Sequence, residues 1–193
     1  ASAVSPVYLY NKELIIALCP LGGPAAANLM EELRFVGITT FLAVGTCGCL
    51  KDDANLSALL LPNRAIRDEG LSYHYLPPSR TVETDAELTA KIKQVLIKEK
   101  FPFMEGTVWT TDAMYRETPN RIARRKEEGA FGVEMECASL AACAKYNKVR
   151  FAQVLYFSDK VSTNKWVWRK YDKIKLRTKL LKICINVLQN SDL

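Results

Sequence analysis

The sequence predicts a single α/β domain with a central mixed, twisted sheet that is covered by helices on both faces. Short apolar runs rich in β-branched residues alternate with segments of helical periodicity. These runs are apolar along most of their length, which is typical of strands buried on both faces. The chain has 193 residues, is 49% hydrophobic and contains no Ser/Gly/Pro-rich linker. We therefore treat residues 1–193 as one domain.

Five segments are predicted as strands, because each is a short apolar run and several are bounded by glycine or proline. In chain order they are ELIIALC, TTFLAVGTCG, LSALLLP, GTVWTTD and VRFAQVLYFSD.

Four helices are predicted between and after these strands. PAAANLMEELRFVG begins with Pro24, which suits a first helical turn, and ends at Gly37, which suits a C-terminal cap. TDAELTAKIKQVLIKEK opens with a cap at Thr84 or Asp85 and keeps one apolar face, formed by Leu88, Ile92, Val95 and Leu96. The remaining helices are MECASLAACAKYN and DKIKLRTKLLKICINVLQ.

Charge and cysteine content narrow the function classes. The net charge is +6, but Lys and Arg are spread at helical spacing, which favours solvated helix faces over a nucleic-acid surface and also suits an anionic small substrate. Six cysteines without a signal peptide or a run of 18 apolar residues predict reduced thiols in a cytoplasmic protein without membrane attachment. Cys47 and Cys49 form C-x-C without a second pair, so no metal site is predicted.

Chemistry in such folds sits where strands end. The turns LGGP, with Gly22, and AVGTCG, with Thr46, expose backbone N–H groups that suit an oxyanion or a sugar hydroxyl, although tight turns also need glycine for steric reasons. WTTDAMY, residues 109–115, combines aromatic rings with hydroxyls and suits a planar ligand, or ordinary packing at the core edge. Asp159 ends the last strand and is predicted as an N-cap or a general acid.

The stretch GVEMEC places Glu134 and Glu136 around Met135, inside a segment that otherwise predicts a buried strand followed by a buried helix. Carboxylates are rarely fully buried unless a polar group pairs with them. Either these two side chains face water, or a polar ligand binds there.

These motifs together resemble the nucleoside phosphorylase superfamily, which holds purine nucleoside phosphorylase, uridine phosphorylase and related nucleosidases. GVEMEC, AVGTCG, AIRDEGLSYHYLP, TVWTTDAMYRET and YFSD carry the resemblance, and VEME with the downstream SD is its most specific part. The likeness runs from about Leu14 to the final helix and implies a nucleoside phosphorylase-like fold.

The resemblance implies roles for the residues of two motifs. Glu136 would bind the ribose 2′ and 3′ hydroxyls, Met135 would line the sugar, and Glu134 would support the sugar site or the base pocket. Asp159 would donate a proton to N7 of a departing purine, with Ser158 orienting it.

The resemblance also implies that the base and sugar walls include Trp109, Thr110, Met114 and Tyr115. It implies nucleoside and phosphate as substrates, no metal or organic cofactor, and a homodimer or a higher homo-oligomer.

Two departures from the family pattern bear on the nucleophile. Ala43 stands where phosphorolytic members usually carry an arginine, while Thr46 keeps the expected hydroxyl. Arg67 and Arg169 are the substitute candidates, with a surface or intersubunit salt bridge as the alternative for each. The family's usual first strand and glycine-rich turn have no counterpart here, so we expect a fragment, a shortened paralogue or a chain whose first segment is not included.

Three functions follow from this pattern. The first, preferred from the family, is phosphorolysis of a purine nucleoside to free base and pentose 1-phosphate. The second is a hydrolytic nucleosidase, which the absence of an arginine at position 43 favours. The third is a catalytically weak nucleoside-binding or storage paralogue.

Overall fold

A computed structural model describes residues 4–161 and 166–189, and within these ranges the chain forms nine strands and six α-helices. The strands are β1 (Val7–Leu9), β2 (Ile15–Ala17), β3 (Thr40–Cys49), β4 (Leu59–Asp68), β5 (Thr81–Glu83), β6 (Phe103–Thr111), β7 (Ala130–Glu134), β8 (Arg150–Val161) and β9 (Trp166–Trp168). The helices are α1 (Gly23–Phe35), α2 (Ser72–Tyr75), α3 (Ala86–Lys98), α4 (Pro119–Glu127), α5 (Cys137–Asn147) and α6 (Lys173–Gln189).

The central sheet is mixed, which confirms the predicted fold class. Its order is β5-β4-β6-β7-β3-β8-β9. The pairs β3–β8, β4–β6 and β6–β7 are parallel, whereas β3–β7, β4–β5 and β8–β9 are antiparallel. Strands β3 and β8 run in one direction, and β4, β6 and β7 run in the other. Because β3 pairs with β7 near the carboxyl ends of both strands, these two ends lie together with the end of β6 and the last part of β8.

Helices cover the sheet on both faces. On one face α1 and α5 pack against a core that includes Cys47, Leu60 and Phe157. On the other face α3 and α6 pack against Leu59 and Tyr156, among others. A third apolar cluster lies under α4. Successive side chains along the central strands therefore point into the cores on the two faces of the sheet. This arrangement explains why these strands are apolar along most of their length.

The predicted helix boundaries are confirmed by their caps. Pro24 lies in the first turn of α1, and Gly37 follows the helix with a φ of 101°, a left-handed conformation that glycine adopts without strain. The Asp85 carboxylate caps α3 by accepting a hydrogen bond of 2.7 Å from the Leu88 N–H. None of the helices in the described part of the chain has the length and apolar character of a membrane span.

Two of the five predicted strands differ in the structure, and β1, β5 and β9 were not among the five. The run ELIIALC contributes only the three residues of β2, which pair with β1 in a separate antiparallel ribbon rather than in the central sheet. The run LSALLLP does not end at Pro62, because β4 continues to Asp68. A register shift between Pro62 and Arg64 accommodates the proline, which has no N–H to donate to the ladder.

Candidate active site

The predicted acidic residues lie where the ends of β3, β6 and β7 meet the last part of β8. Gly48 at the end of β3 is in register with Asp159 on β8 and with Val133 on β7. Thr110 at the end of β6 is in register with Glu134. Strand pairing therefore brings the VEME and SD motifs onto either side of one strand, although they are distant in sequence.

Glu134 is 5% exposed, and both of its oxygens accept hydrogen bonds from the protein. Oε1 accepts from the Thr110 hydroxyl at 2.5 Å, and Oε2 accepts from the N–H groups of Glu136 and Cys137 at 2.9 and 2.8 Å. The latter two N–H groups belong to the start of α5, where backbone donors lack intrahelical partners. A buried carboxylate at this position is thus paired with the helix N-terminus, which answers the question that GVEMEC raised.

Glu136 is the more accessible of the two carboxylates. Its Oε1 accepts a hydrogen bond of 2.6 Å from the N–H of Gly22, the residue that precedes α1. Gly22 has a φ of 90°, so a side chain there would be strained. The sequence predicts a turn whose N–H groups suit an oxyanion or a sugar hydroxyl, or one that needs glycine for steric reasons; in the structure the Gly22 N–H binds the Glu136 carboxylate. Burial raises the pKa of Glu136, and hydrogen bonds from the Gly22 and Met135 backbone oppose that rise.

Thr110 and Trp109 are not walls of an open pocket, which corrects their predicted role. Both are fully buried. Thr110 supports Glu134 and accepts a hydrogen bond of 3.0 Å from the Ala138 N–H. Strand alternation turns Trp109 to the opposite face, where it joins the third core cluster and donates its indole N–H to Asp68 at 2.9 Å.

Asp159 is 5% exposed and lies next to a bulge in β8. Ser158 is the extra residue of the bulge; its hydroxyl donates to Asp159 and lies 3.3 Å from the Cys47 carbonyl oxygen. Gly48 lies against this aspartate: an added Cβ would be in van der Waals contact with Asp159 Oδ2, at 3.4 Å, and would clash with the Val161 side chain at 2.6 Å. The bulge therefore changes the direction in which β8 presents the carboxylate.

The group around Glu134 and Glu136 and the group around Asp159 belong to strands that pair with the two sides of β3. Cys47 of β3 is fully buried, and burial, together with the charges of Glu134 and Asp159, raises the pKa of its thiol well above the usual value. The structure therefore gathers Gly22, Thr110, Glu134 and Glu136 into one hydrogen-bonded cluster, with Ser158 and Asp159 on its other side.

Glu117 is an acidic residue near Asp159 that the sequence analysis missed. It follows the short turn Met114–Arg116 after β6. Burial and the Asp159 charge raise its pKa to about 7. The available signal was its place in TVWTTDAMYRET, directly downstream of a strand end.

The remaining predicted contacts differ in accessibility. Thr46 is exposed, Met114 is 40% exposed, Tyr115 is 87% exposed and Met135 is half-buried, so these side chains can meet a ligand. Arg169 directly follows β9 and is half-buried, and its guanidinium donates to the carbonyl oxygen of Phe157 on β8 at 3.3 Å.

Arg67 is neither a phosphate ligand nor a surface ion pair, which corrects both of its predicted roles. It is 1% exposed. Its guanidinium donates to the hydroxyls of Ser72 and Ser79 and to the carbonyls of Leu76 and Pro77. The segment after β4 therefore surrounds the Arg67 guanidinium. The side chain is not accessible to a substrate.

A groove of about 470 Å³ lies elsewhere, between α3 and the β4 and β5 edge of the sheet. Asn63, Arg64, Lys93 and Glu105 are among its lining residues. No residue of the two acidic groups lines this groove. We therefore place the chemistry at the strand ends and not in the groove.

The ionisation of Glu134 predicts a pH dependence of stability. Burial, followed by the Glu136 charge, raises the pKa of Glu134 to about 7. Between the ordinary carboxyl pKa of about 4.3 and this value, the folded protein holds a proton that the unfolded chain has released. The free energy of unfolding therefore contains a contribution that is complete below that interval and is lost as the pH rises through about 7.

We expect Glu134→Gln to flatten the pH profile of the melting temperature across this interval. The amide oxygen can accept from the start of α5 while its NH₂ group donates to Thr110, so the variant should fold. Thermal unfolding from pH 4 to 8 measures the profile, with Glu127→Gln on exposed α4 as the control. Glu117 contributes equally to the pH profiles of the Glu134→Gln variant and of the control, so the difference between them is due to Glu134. Identical pH profiles for the two variants would contradict the prediction.

Comparison with known proteins places this geometry in a family. The family described as "Phosphorylase superfamily" matches residues 7–186. A guanosine phosphorylase from Halorubrum lacusprofundi is 28% identical over 138 residues, which is 72% of this chain and 57% of that protein. The uridine phosphorylase of Escherichia coli is 32% identical over 160 residues, or 76% of this chain and 63% of that protein.

The solved structure of an AMP nucleosidase from Bacteroides thetaiotaomicron superposes with a TM-score of 0.76 at 25% identity, and the match covers 91% of this chain and 70% of that one. The chain spans less than two thirds of the length of the two curated relatives. The family match covers nearly the whole chain and includes every residue of the two acidic groups. The protein belongs to the phosphorylase superfamily.

Proposed function

We propose that this chain cleaves the N-glycosidic bond of a purine nucleoside by phosphorolysis. The observation that carries the proposal is the placement of a half-buried carboxylate, Glu136, just after β7 and of a buried aspartate, Asp159, on β8, where both strands pair with the end of β3. One carboxylate can bind the vicinal diol of a nucleoside, and the other carboxyl group can protonate the departing base. The guanosine phosphorylase among the relatives supports the choice of a purine.

In the proposed reaction Asp159 donates its proton to N7 of the purine. The C1′–N9 bond then breaks, and its electron pair leaves with the base. A phosphate oxygen forms the new bond to C1′, which gives pentose 1-phosphate. Ser158 holds the aspartate in place through its hydroxyl hydrogen bond.

Glu136 serves the sugar in this proposal. Its carboxylate accepts hydrogen bonds from the 2′ and 3′ hydroxyls, and its negative charge stabilises the positive charge that develops at the sugar ring. The hydrogen bond from Gly22 orients it for this task. Glu134 does not contact the sugar in this account; it holds the backbone of Glu136.

Hydrolysis is the second candidate, and two observations favour it. Ala43 lies within β3 opposite Gln153, where family resemblance led us to look for an arginine, and Arg67 is committed to its own loop. The structural relative is named a nucleosidase. Of the substitute arginines considered, Arg169 remains as the phosphate ligand that phosphorolysis would use.

A nucleoside panel separates these candidates. Inosine, adenosine, guanosine and uridine are incubated with the protein, with and without phosphate, and free base is measured. We expect purine release that depends on phosphate. Equal release in both conditions would establish hydrolysis, and binding without release would support the storage alternative.

A further inference from the structure

A buried carboxylate outside the predicted motifs is connected to the candidate site. Glu69 follows β4 and is 7% exposed. Its Oε2 accepts a hydrogen bond of 2.6 Å from the Ser139 hydroxyl and one of 3.0 Å from the Ser72 N–H. Ser139 lies in the first turn of α5, two residues after that helix begins. Glu69 therefore fixes the position of a hydroxyl that belongs to the helix following Glu136.

The Ser139 hydroxyl is in direct contact with the first residue of α1. A Cβ added to Gly23 would lie 2.2 Å from Ser139 Oγ and 2.8 Å from its Cβ, distances at which one of the two residues must move. The absence of a side chain at Gly23 thus lets α1 begin against α5. The neighbouring residue, Gly22, is the one that donates its N–H to Glu136.

One series of contacts therefore runs from Glu69 through Ser139 and the Gly22–Gly23 turn to the Glu136 carboxylate. Each link is a hydrogen bond or a van der Waals contact between residues far apart in sequence. A shift of Ser139 would move the turn, and the turn carries the donor that orients Glu136.

The other oxygen of Glu69 argues against a purely structural role. Oε1 is buried and has no hydrogen-bond partner within the described ranges. A buried carboxylate with an unsatisfied oxygen costs stability, and an apolar side chain would suit a simple scaffold better. The ability to hold the Ser139 hydroxyl and the Ser72 N–H gives a reason for a hydrogen-bond acceptor at this place.

We propose that Glu69 and Ser139 are positioning residues that set the Glu136 carboxylate for the sugar hydroxyls, an inference that rests on the proposed function. Neither residue touches the substrate. Their effect is specific to the part of the nucleoside that Glu136 binds.

Equilibrium binding tests this inference without requiring turnover. The ligands are inosine and 2′,3′-dideoxyinosine, which differ only in the two hydroxyls, and calorimetry measures the dissociation constant of each. Ser139→Ala removes the hydroxyl, and alanine favours the helix, so the variant should fold. Gly23→Ala introduces the close contact with Ser139. Glu69→Leu removes the acceptor of the Ser139 hydroxyl, and Glu69→Gln, which retains an oxygen for Ser139 and Ser72, is the conservative variant. Ser57→Ala on the surface is the matched control.

We expect the wild-type protein to bind inosine more tightly than dideoxyinosine. Ser139→Ala, Gly23→Ala and Glu69→Leu should weaken inosine binding about tenfold, the size of one hydrogen bond to a charged group, and leave dideoxyinosine within about twofold. Glu69→Gln and Ser57→Ala should retain the wild-type preference.

Three other results would overturn the inference. Variants that keep the preference for inosine would show that the contacts do not position Glu136. An equal loss for both ligands would indicate general damage to the pocket. A wild-type protein without any preference would remove the sugar-binding role of Glu136, and hence the proposed function, before any variant is considered.

Discussion

Asp159→Asn is expected to reduce purine release from inosine by about 10²- to 10⁴-fold, the contribution of a well-placed general acid. Asparagine has the shape of aspartate and its oxygen can still accept from Ser158, but it has no proton to deliver to N7. The loss should appear in kcat, because the amide still fills the buried position beside Gly48. Initial rates of base release measure it.

A substrate that needs no protonation provides the control for this prediction. 7-Methylguanosine carries a positive charge on its imidazole ring, so its base departs without a proton from the protein. We expect Asp159→Asn to retain most of the wild-type rate with this substrate. A rate that falls equally for inosine and 7-methylguanosine would mean that Asp159 maintains the site and is not its acid.

Glu136→Gln is the substitution with the second largest expected effect. The amide oxygen can still accept the Gly22 N–H and one sugar hydroxyl can still bind, but the negative charge is lost. That charge matters most when positive charge develops at the sugar, so kcat should fall more than KM rises. We expect kcat to fall about 10²- to 10³-fold, the size seen when one preorganised electrostatic group is removed.

Steady-state kinetics with the preferred nucleoside measure this split between kcat and KM. Glu127→Gln, which alters an exposed carboxylate on α4, should behave as the wild type. If Glu136→Gln raised KM and left kcat unchanged, Glu136 would bind the ground state and the transition state equally. Its proposed role in stabilising the developing charge would then be wrong.

Helices α1 and α3 and their ends were predictable because their signals are local, whereas α2 and α4 were not among the predicted helices. Pro24 and Gly37 mark the limits of α1, and Asp85 caps α3 with a donor three residues away. The apolar face of α3 is a repeat that any window of the sequence contains. Strand ends were less predictable, as β4 shows, since a bulge allowed the strand to continue beyond Pro62.

The roles of individual polar residues were much less predictable. Arg67 was a candidate for phosphate, yet the turn that follows it surrounds its guanidinium. Trp109 was a candidate wall, yet strand alternation placed it in a core. In both cases the residue type suggested a ligand contact, whereas burial decided the partner. Sequence composition alone carries no information about which side of a strand a pocket occupies.

The sequence by itself determined the α/β class, the limits of α1 and α3 and the family, because each depends on residues a few positions apart or on motifs in a set order. Only the tertiary structure decided which hydrogen-bond donors each of the two glutamates of VEME binds. Glu134 pairs with Thr110, 24 residues away, and Glu136 pairs with Gly22, 114 residues away. A carboxylate takes its role from the donors that folding brings to it, and those donors come from distant strands and turns.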